Sequence, residues 1–248
     1  MQGFLIALQF LTRLPVRLPD APGEQDTGRS LLYYPLVGLL IGFTLAAFAW
    51  ALGEGSALLH AAILLAAWVL MSGALHLDGL ADSADAWAGG QGDRERSLAI
   101  MKDPACGPAG AVALILVLLV KLAALEALAG QPLPLVLAPM LGRAALLALF
   151  LTTPYVRPGG LGEVHARALP HRPAVIVVVV AVAAVPMTMD SDGLWMLASL
   201  FTTFMLVRAA MLRRLGGATG DTAGALVEIT EAAVLVTAAM AVHRGTSL

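Results

Sequence analysis

Three aspartates are the first residues here that could do chemistry. In His76–Asp103, HLDGLADSADAWAGGQGDRERSLAIMKD, the carboxylates Asp78, Asp82 and Asp85 fall at i, i+4 and i+7. On a helix continuing past Leu75, that spacing sets all three on one face. Like charges so arranged repel one another, and a cation among them offsets the repulsion. Oxygen-only donors at a membrane surface suit Mg²⁺, which binds through few carboxylates and keeps positions for substrate phosphates. Gly79, Ala81 and Ala84 let a second helix or a ligand approach the backbone closely. His76 could ligate metal, act as a base or touch substrate, although a lone interfacial His is more often a hydrogen-bonded structural residue. Downstream, Gly89, Gly90 and Gly92 form a turn, and Asp93–Arg96 opens a short solvated helix. Lys102 and Asp103 then precede a Pro/Gly-rich stretch, where Lys102 could hold a phosphate and Asp103 touch substrate.

A second acidic stripe lies in GGATGDTAGALVEITE, Gly216–Glu231. Asp221, Glu228 and Glu231 are at i, i+7 and i+10, close to one helical face. Glu228 and Glu231 sit about 10–15 Å into a helix rising 1.5 Å per residue, within the apolar slab or at its border. Ionisable groups there are expensive and are functional candidates. Arg143, in LGRAALL, and Arg208, in MLVRAAM, are cations placed to pair with them or with substrate phosphate. For Arg208, snorkelling to the interface is an equal reading. Lys121 and Glu126 read as a stabilising pair toward the outer half of their span. Together the two stripes describe a polyacidic, cation-loaded cavity. Divalent ions there would neutralise a diphosphate as a phosphoryl–oxygen bond breaks.

The elements that must position these groups are set by composition. Of 248 residues, 59% are apolar and 13% charged, against about a quarter charged in an average soluble domain. A polytopic, all-α membrane protein follows. Fifteen Lys and Arg against 17 Asp and Glu leave a net charge of −2 and no bulk basic field for nucleic acid. The single Cys106 cannot form an internal disulfide. About seven spans are expected, at Leu31–Leu52, Ala57–Leu75, Pro108–Ala129, Leu133–Thr153, Ala174–Met189, Leu194–Leu212 and Thr222–Val242. Phe4–Leu14 is too short to span and reads as an interfacial or re-entrant helix. Basic residues alternate between connections: Arg13, Arg17 and Arg29; then Arg94, Arg96 and Lys102; then Arg157, Arg167 and Arg172; then Arg213 and Arg214. Positive loops stay cytoplasmic, so the N-terminus and both acidic stripes are expected on that side. No repeat or soluble domain is visible, so residues 1–248 read as a single membrane-embedded domain.

The sequence resembles the cobalamin 5′-phosphate synthase family, also called the adenosylcobinamide-GDP ribazoletransferases. The likeness runs along nearly the whole chain: ALQFLTRLPV at Ala7–Val16, YYPLVGLLIG at Tyr33–Gly42 and GALHLDGLADSADAWAGG at Gly73–Gly90. It continues through DRERSLAIMKD at Asp93–Asp103, Gly142–Arg143 and GGATGDTAGALVEITE at Gly216–Glu231. One departure is PACGPAG at Pro104–Gly110, where a branched residue before the Gly is more usual. The resemblance implies a bacterial inner-membrane transferase that joins adenosylcobinamide-GDP to α-ribazole, or its 5′-phosphate, with release of GMP and a requirement for Mg²⁺. It matches Asp78, Asp82 and Asp85 to the family's acidic metal motif. On that basis Asp221 and Glu228 are expected as further metal ligands. Asp82, Lys102 and Arg143 are expected to act in catalysis, and His76, Asp103, Glu231 and Arg208 to contact substrate. Which carboxylate takes the hydroxyl proton stays open, and so does assembly into a homo-oligomer.

Two other readings compete. CDP-alcohol phosphotransferases also use a membrane-embedded aspartate site, but their motif has Arg where Asp82 follows Asp78-Gly79-Leu80-Ala81. A secondary transporter using Glu228, Glu231 and Arg143 as an ion relay would show two related halves, and none is visible.

Overall fold

The structure is a computed structural model that describes residues 2–18 and 21–245. Among them the regular elements are all helices, joined by turns and short loops, with one isolated bridge between Tyr155 and Ala218. Helix α1 is Gln2–Leu11 and α2 is Glu24–Ser30, and a 3₁₀ turn at Leu31–Tyr33 leads into α3, Tyr34–Leu52. Then follow α4 (Ala57–Ser72), α5 (Leu75–Gly89), α6 (Arg94–Ile100) and α7 (Pro108–Ala127). The chain continues as α8 (Pro132–Thr152), α9 (Leu161–Arg167), α10 (His171–Leu215) and α11 (Gly220–Gly245). Prolines lie in the first turns of α3, α7 and α8, where their missing N–H costs nothing.

Five helices are long and apolar enough to cross a membrane, or six if the bent pair α4–α5 counts as one span. The seventh expected span lies inside α10. This 45-residue helix is broken at Asp190, whose φ of 45° and ψ of −131° are not helical. A Cβ on Gly193 would lie 2.9 Å from the Val185 carbonyl oxygen. Eight residues along an unbroken helix would separate them by about 12 Å. The chain therefore doubles back, and the two arms of α10 are the expected fifth and sixth spans.

Helix α8 forms the centre: 78% of its most apolar window is buried, against 22% for α7. Lipid tails are as apolar as leucine, so helices in a membrane associate through close backbone contact between small residues. Gly38 and Gly42 of α3 provide it, since Cβ atoms there would come within 2.4 Å of Pro139 and 2.6 Å of Val136 on α8.

One sequence expectation needs correction. The second span, expected to reach Leu75 and lead on into the acidic helix, ends at Ser72, and a separate helix starts at Leu75. Gly73 (φ 62°) and Ala74 (φ 57°) are both left-handed, and α5 leaves α4 at 89°. A non-glycine residue in that region costs about 1–2 kcal/mol, so packing must hold the break. Gly79 of α5 would place a Cβ 2.6 Å from the Asp221 carbonyl oxygen, and Gly224 of α11 one 3.2 Å from His76. These glycines let α5 cross the start of α11 closely, and all three aspartates still share one helix. The N-terminal segment is tied to the same corner through the Arg13 N–H, which donates to the Met71 carbonyl at 2.8 Å. Helix α1 is shorter than a span, as expected of an interfacial segment.

Candidate functional site

The α5–α11 crossing joins the first stripe to the start of the second. A cavity of about 180 Å³ lies there, with His76, Asp78 and Asp221 in its wall alongside Tyr34, Phe150 and His165. A cavity of about 290 Å³ at the opposite helix ends, near Trp50, His60 and Gln131, holds no cluster of ionisable side chains.

Asp78 is exposed at this site, Asp82 is half-buried, and Asp221 carries a salt bridge to Arg157 at 2.5 Å. Burial pushes the Asp82 carboxyl up to about 6, and repulsion from Asp78, Asp221 and Asp85 adds to the shift while Arg157 opposes it. Three carboxylates against one guanidinium leave the cluster of Asp78, Asp82 and Asp221 negatively charged. Among the described residues no three His, Cys, Asp or Glu side chains stand close enough to enclose a metal ion. The donor set nonetheless suits a hard divalent cation, being oxygen-only and short of positive charge.

Asp85 has a different task. Its two carboxylate oxygens accept the N–H groups of Gly107, at 2.7 Å, and Gly110, at 2.9 Å. It caps the first turn of α7 from a neighbouring helix, satisfying donors that the helix leaves unpaired. The PACGPAG segment is built for this contact, because a Cβ at Gly107 or Gly110 would meet the Asp85 carboxylate at 2.5 or 2.4 Å.

Glu228 and Glu231 form a second cluster, closed by two cations. Lys121 Nζ lies 2.5 Å from a carboxylate oxygen of each, and Arg143 pairs with Glu231 through its other oxygen. All four side chains are less than a tenth exposed, and Lys121 also sits 4.7 Å from the centre of the Trp68 ring. Two acids against two bases leave this network neutral, with no surplus charge for a metal. Lys121 therefore does not pair with Glu126, which is exposed. Glu228 and Glu231 are held apart from the three aspartates rather than completing their site.

The remaining candidates divide. His76 belongs to both clusters, with Nδ1 at 3.4 Å from Nη2 of Arg143. Arg143 is buried and does not line the cavity. Arg208 is spent elsewhere: its guanidinium donates to the Thr153 hydroxyl at 2.9 Å and the Thr152 carbonyl at 2.5 Å, closing the end of α8. Lys102 and Asp103 are exposed, and Asp103 accepts the Ala105 N–H in a local turn. Neither is brought to the acids by any ion pair among the described residues.

Arg157 is the site residue that sequence reasoning missed, having been read only as one base in a cytoplasmic loop. Its loop is held against the start of α11 by the Val156 N–H donating to the Ala218 carbonyl at 2.9 Å and the Ala218 N–H to Pro154 at 2.8 Å. Gly217 permits this approach, since a Cβ there would lie 2.3 Å from the Pro154 carbonyl oxygen. A basic residue just past a span, in a short Pro/Gly segment, was the available signal.

The chain matches the family described as Cobalamin-5-phosphate synthase over residues 3–239. It is similar to the adenosylcobinamide-GDP ribazoletransferase of Stutzerimonas stutzeri (strain A1501), 57% identical over 98% of this chain and 100% of the relative. The proteins of that name from Pseudomonas entomophila (strain L48) and Pseudomonas paraeruginosa (strain DSM 24068 / PA7) are 57% and 58% identical. Those matches cover 98% and 97% of this chain, and 100% and 98% of the relatives. No solved structure matches the chain.

Proposed function

The chain belongs to the cobalamin-5-phosphate synthase family, and from that premise we propose that it transfers α-ribazole, or its 5′-phosphate, onto adenosylcobinamide-GDP. The ribazole hydroxyl oxygen attacks the phosphorus attached to cobinamide. The bond from that phosphorus to the bridging oxygen breaks, GMP leaves with that oxygen, and the hydroxyl proton passes to a carboxylate. Positioning and charge neutralisation dominate such a step. The observation that carries this reading is the net negative charge of Asp78, Asp82 and Asp221, only partly offset by Arg157, beside a cavity. Asp82, with Asp78 or Asp221, would hold Mg²⁺, which would supply neutralisation of the diphosphate and of the leaving GMP. Arg157 offers a further positive group to the same phosphates. The cavity, about 180 Å³, is below the usual range for a drug-sized ligand and suits the diphosphate rather than the corrinoid.

Purified protein in lipid is expected to release GMP only when adenosylcobinamide-GDP, α-ribazole and Mg²⁺ are all present. No release would sink the reading, and release of CMP from a CDP-alcohol would favour a lipid phosphotransferase. Proton and cation compete for Asp82. Above about pH 6 its carboxyl is ionised and can hold the metal, and below that it is protonated. The Mg²⁺ concentration giving half the maximal rate should therefore rise as pH falls through about 6. A requirement that stays flat across this range would remove Asp82 from the cation site.

The acids face the cytoplasm in this reading, across a bacterial inner membrane, because Arg94, Arg96, Arg157, Arg213 and Arg214 share their end of the helices. Cys106, exposed beside Asp85's cap on α7, reports on it directly. A membrane-impermeant maleimide should label inverted vesicles and spare intact spheroplasts, and the reverse pattern would overturn the orientation.

A further inference from the structure

The acidic cavity and the buried ion network meet at one residue, His76. It is 3% exposed and lines the cavity, and its Nδ1 faces Nη2 of Arg143 at 3.4 Å. An arginine side chain has donors and no acceptor, so at this contact Nδ1 is the acceptor. The imidazole proton then sits on Nε2. That nitrogen is buried and has no hydrogen-bond partner among the described residues. A buried N–H left without an acceptor is costly, and here it belongs to a residue lining a cavity suited to a polyanion.

We propose that His76 is a catalytic residue of the transfer, donating its Nε2–H to a phosphoryl oxygen of the bound diphosphate. Arg143 and Glu231 are the positioning residues that hold it in that tautomer. This rests on the transferase reading above. Arg143 is fixed by Glu231 and by its own helix at the Pro139 carbonyl, and Lys121 secures Glu231 from the other side. The deep charges thus reach the substrate only through the imidazole. A metal ligand or a general base would need a lone pair on Nε2, which this tautomer does not have. No proton is transferred: the N–H strengthens its hydrogen bond as charge grows on the phosphoryl oxygens.

The test compares His76→Ala and His76→Gln with the parent protein in lipid nanodiscs. The glutamine amide can donate where Nε2–H did. Alanine is expected to lower kcat for GMP release about 100-fold, with glutamine recovering all but about ten-fold. An alanine variant with the parent's kcat, or a folded glutamine variant no better than alanine, would overturn the proposal. A second readout needs no turnover. In protein labelled with ¹⁵N-histidine, the signal lost in His76→Gln should be that of a neutral ring protonated at Nε2, and adding GDP should move it. A ring protonated at Nδ1 or at both nitrogens, or a signal unmoved by GDP, would overturn the assignment. Should the parent release no GMP, the transferase reading fails, while the tautomer still judges His76.

Discussion

Asp82→Ala is expected to lower GMP release by about 10³-fold, at the upper end of what losing one charge-stabilising group costs. Burial holds the Asp82 carboxyl high, and the neighbouring charges of Asp78 and Asp221 push it the same way. Removing it takes away the acid whose negative charge its neighbours most oppose, and which a cation would most relieve. The isosteric Asp82→Asn should be nearly as damaging, because the volume stays and the charge goes. Asp85→Asn should behave differently. One of its two capping contacts survives, so the effect belongs to the start of α7: about 1 kcal/mol of stability, with turnover largely kept. Kinetics and thermal melts of all three variants separate the roles. An Asp82→Ala protein with full turnover in Mg²⁺, or an Asp85→Asn protein as dead as Asp82→Ala, would contradict this division.

Glu231→Leu should be the most destabilising single change in the membrane interior. Glu231 is fully buried and takes one cation on each oxygen. Without it Lys121 retains Glu228, but Arg143 is left charged and unpaired beside the Pro139 carbonyl and His76. Breaking a buried pair from one side costs about 3–5 kcal/mol. For a chain of this length that lowers Tm by about 6–20 °C. Replacing Arg143 as well, as Glu231→Leu with Arg143→Leu, removes the stranded charge and should recover much of the loss, making the pair strongly non-additive. Melts followed by tryptophan fluorescence check this. Equal Tm values for the parent and Glu231→Leu would show that the network contributes nothing to the fold.

The membrane architecture could be read from the chain because lipid constrains sequence strongly. Spans need apolar length, and basic loops alternate. Even the turn at Asp190–Gly193, hidden in one long helix, stood out as two acids between apolar runs. The break after α4 was harder to see. Its signal was Gly73, while the left-handed Ala74 is held by packing of Gly79 and Gly224 against backbone far away in sequence.

The aspartates of α5 were legible for a local reason: i, i+4 and i+7 spacing survives whatever the tertiary fold does. Partner choice was not legible. Lys121 looked paired to Glu126 because the two share a span, yet its partners lie 107 and 110 residues away on α11. Asp85 looked equivalent to Asp78 and Asp82 until the fold brought Gly107 and Gly110 to its oxygens. Arg157 was hidden by its loop, whose place over Asp221 is set by a single bridge to Ala218. In each case the missing information was which helix crosses which, a property of small-residue contacts spread over the whole chain.

The two acidic clusters differ most in charge balance, and one measurement reads that difference directly. Mn²⁺ can stand in for Mg²⁺ and is located by its anomalous scattering, so the protein would be crystallised in lipid with Mn²⁺ and GDP. Manganese is expected at Asp82, with Asp78 or Asp221 and a phosphate oxygen completing its shell, and Glu228 and Glu231 still paired with Lys121 and Arg143. A peak at Glu228 and Glu231, with the aspartates vacant, would contradict the assignment of the reaction to the α5–α11 crossing.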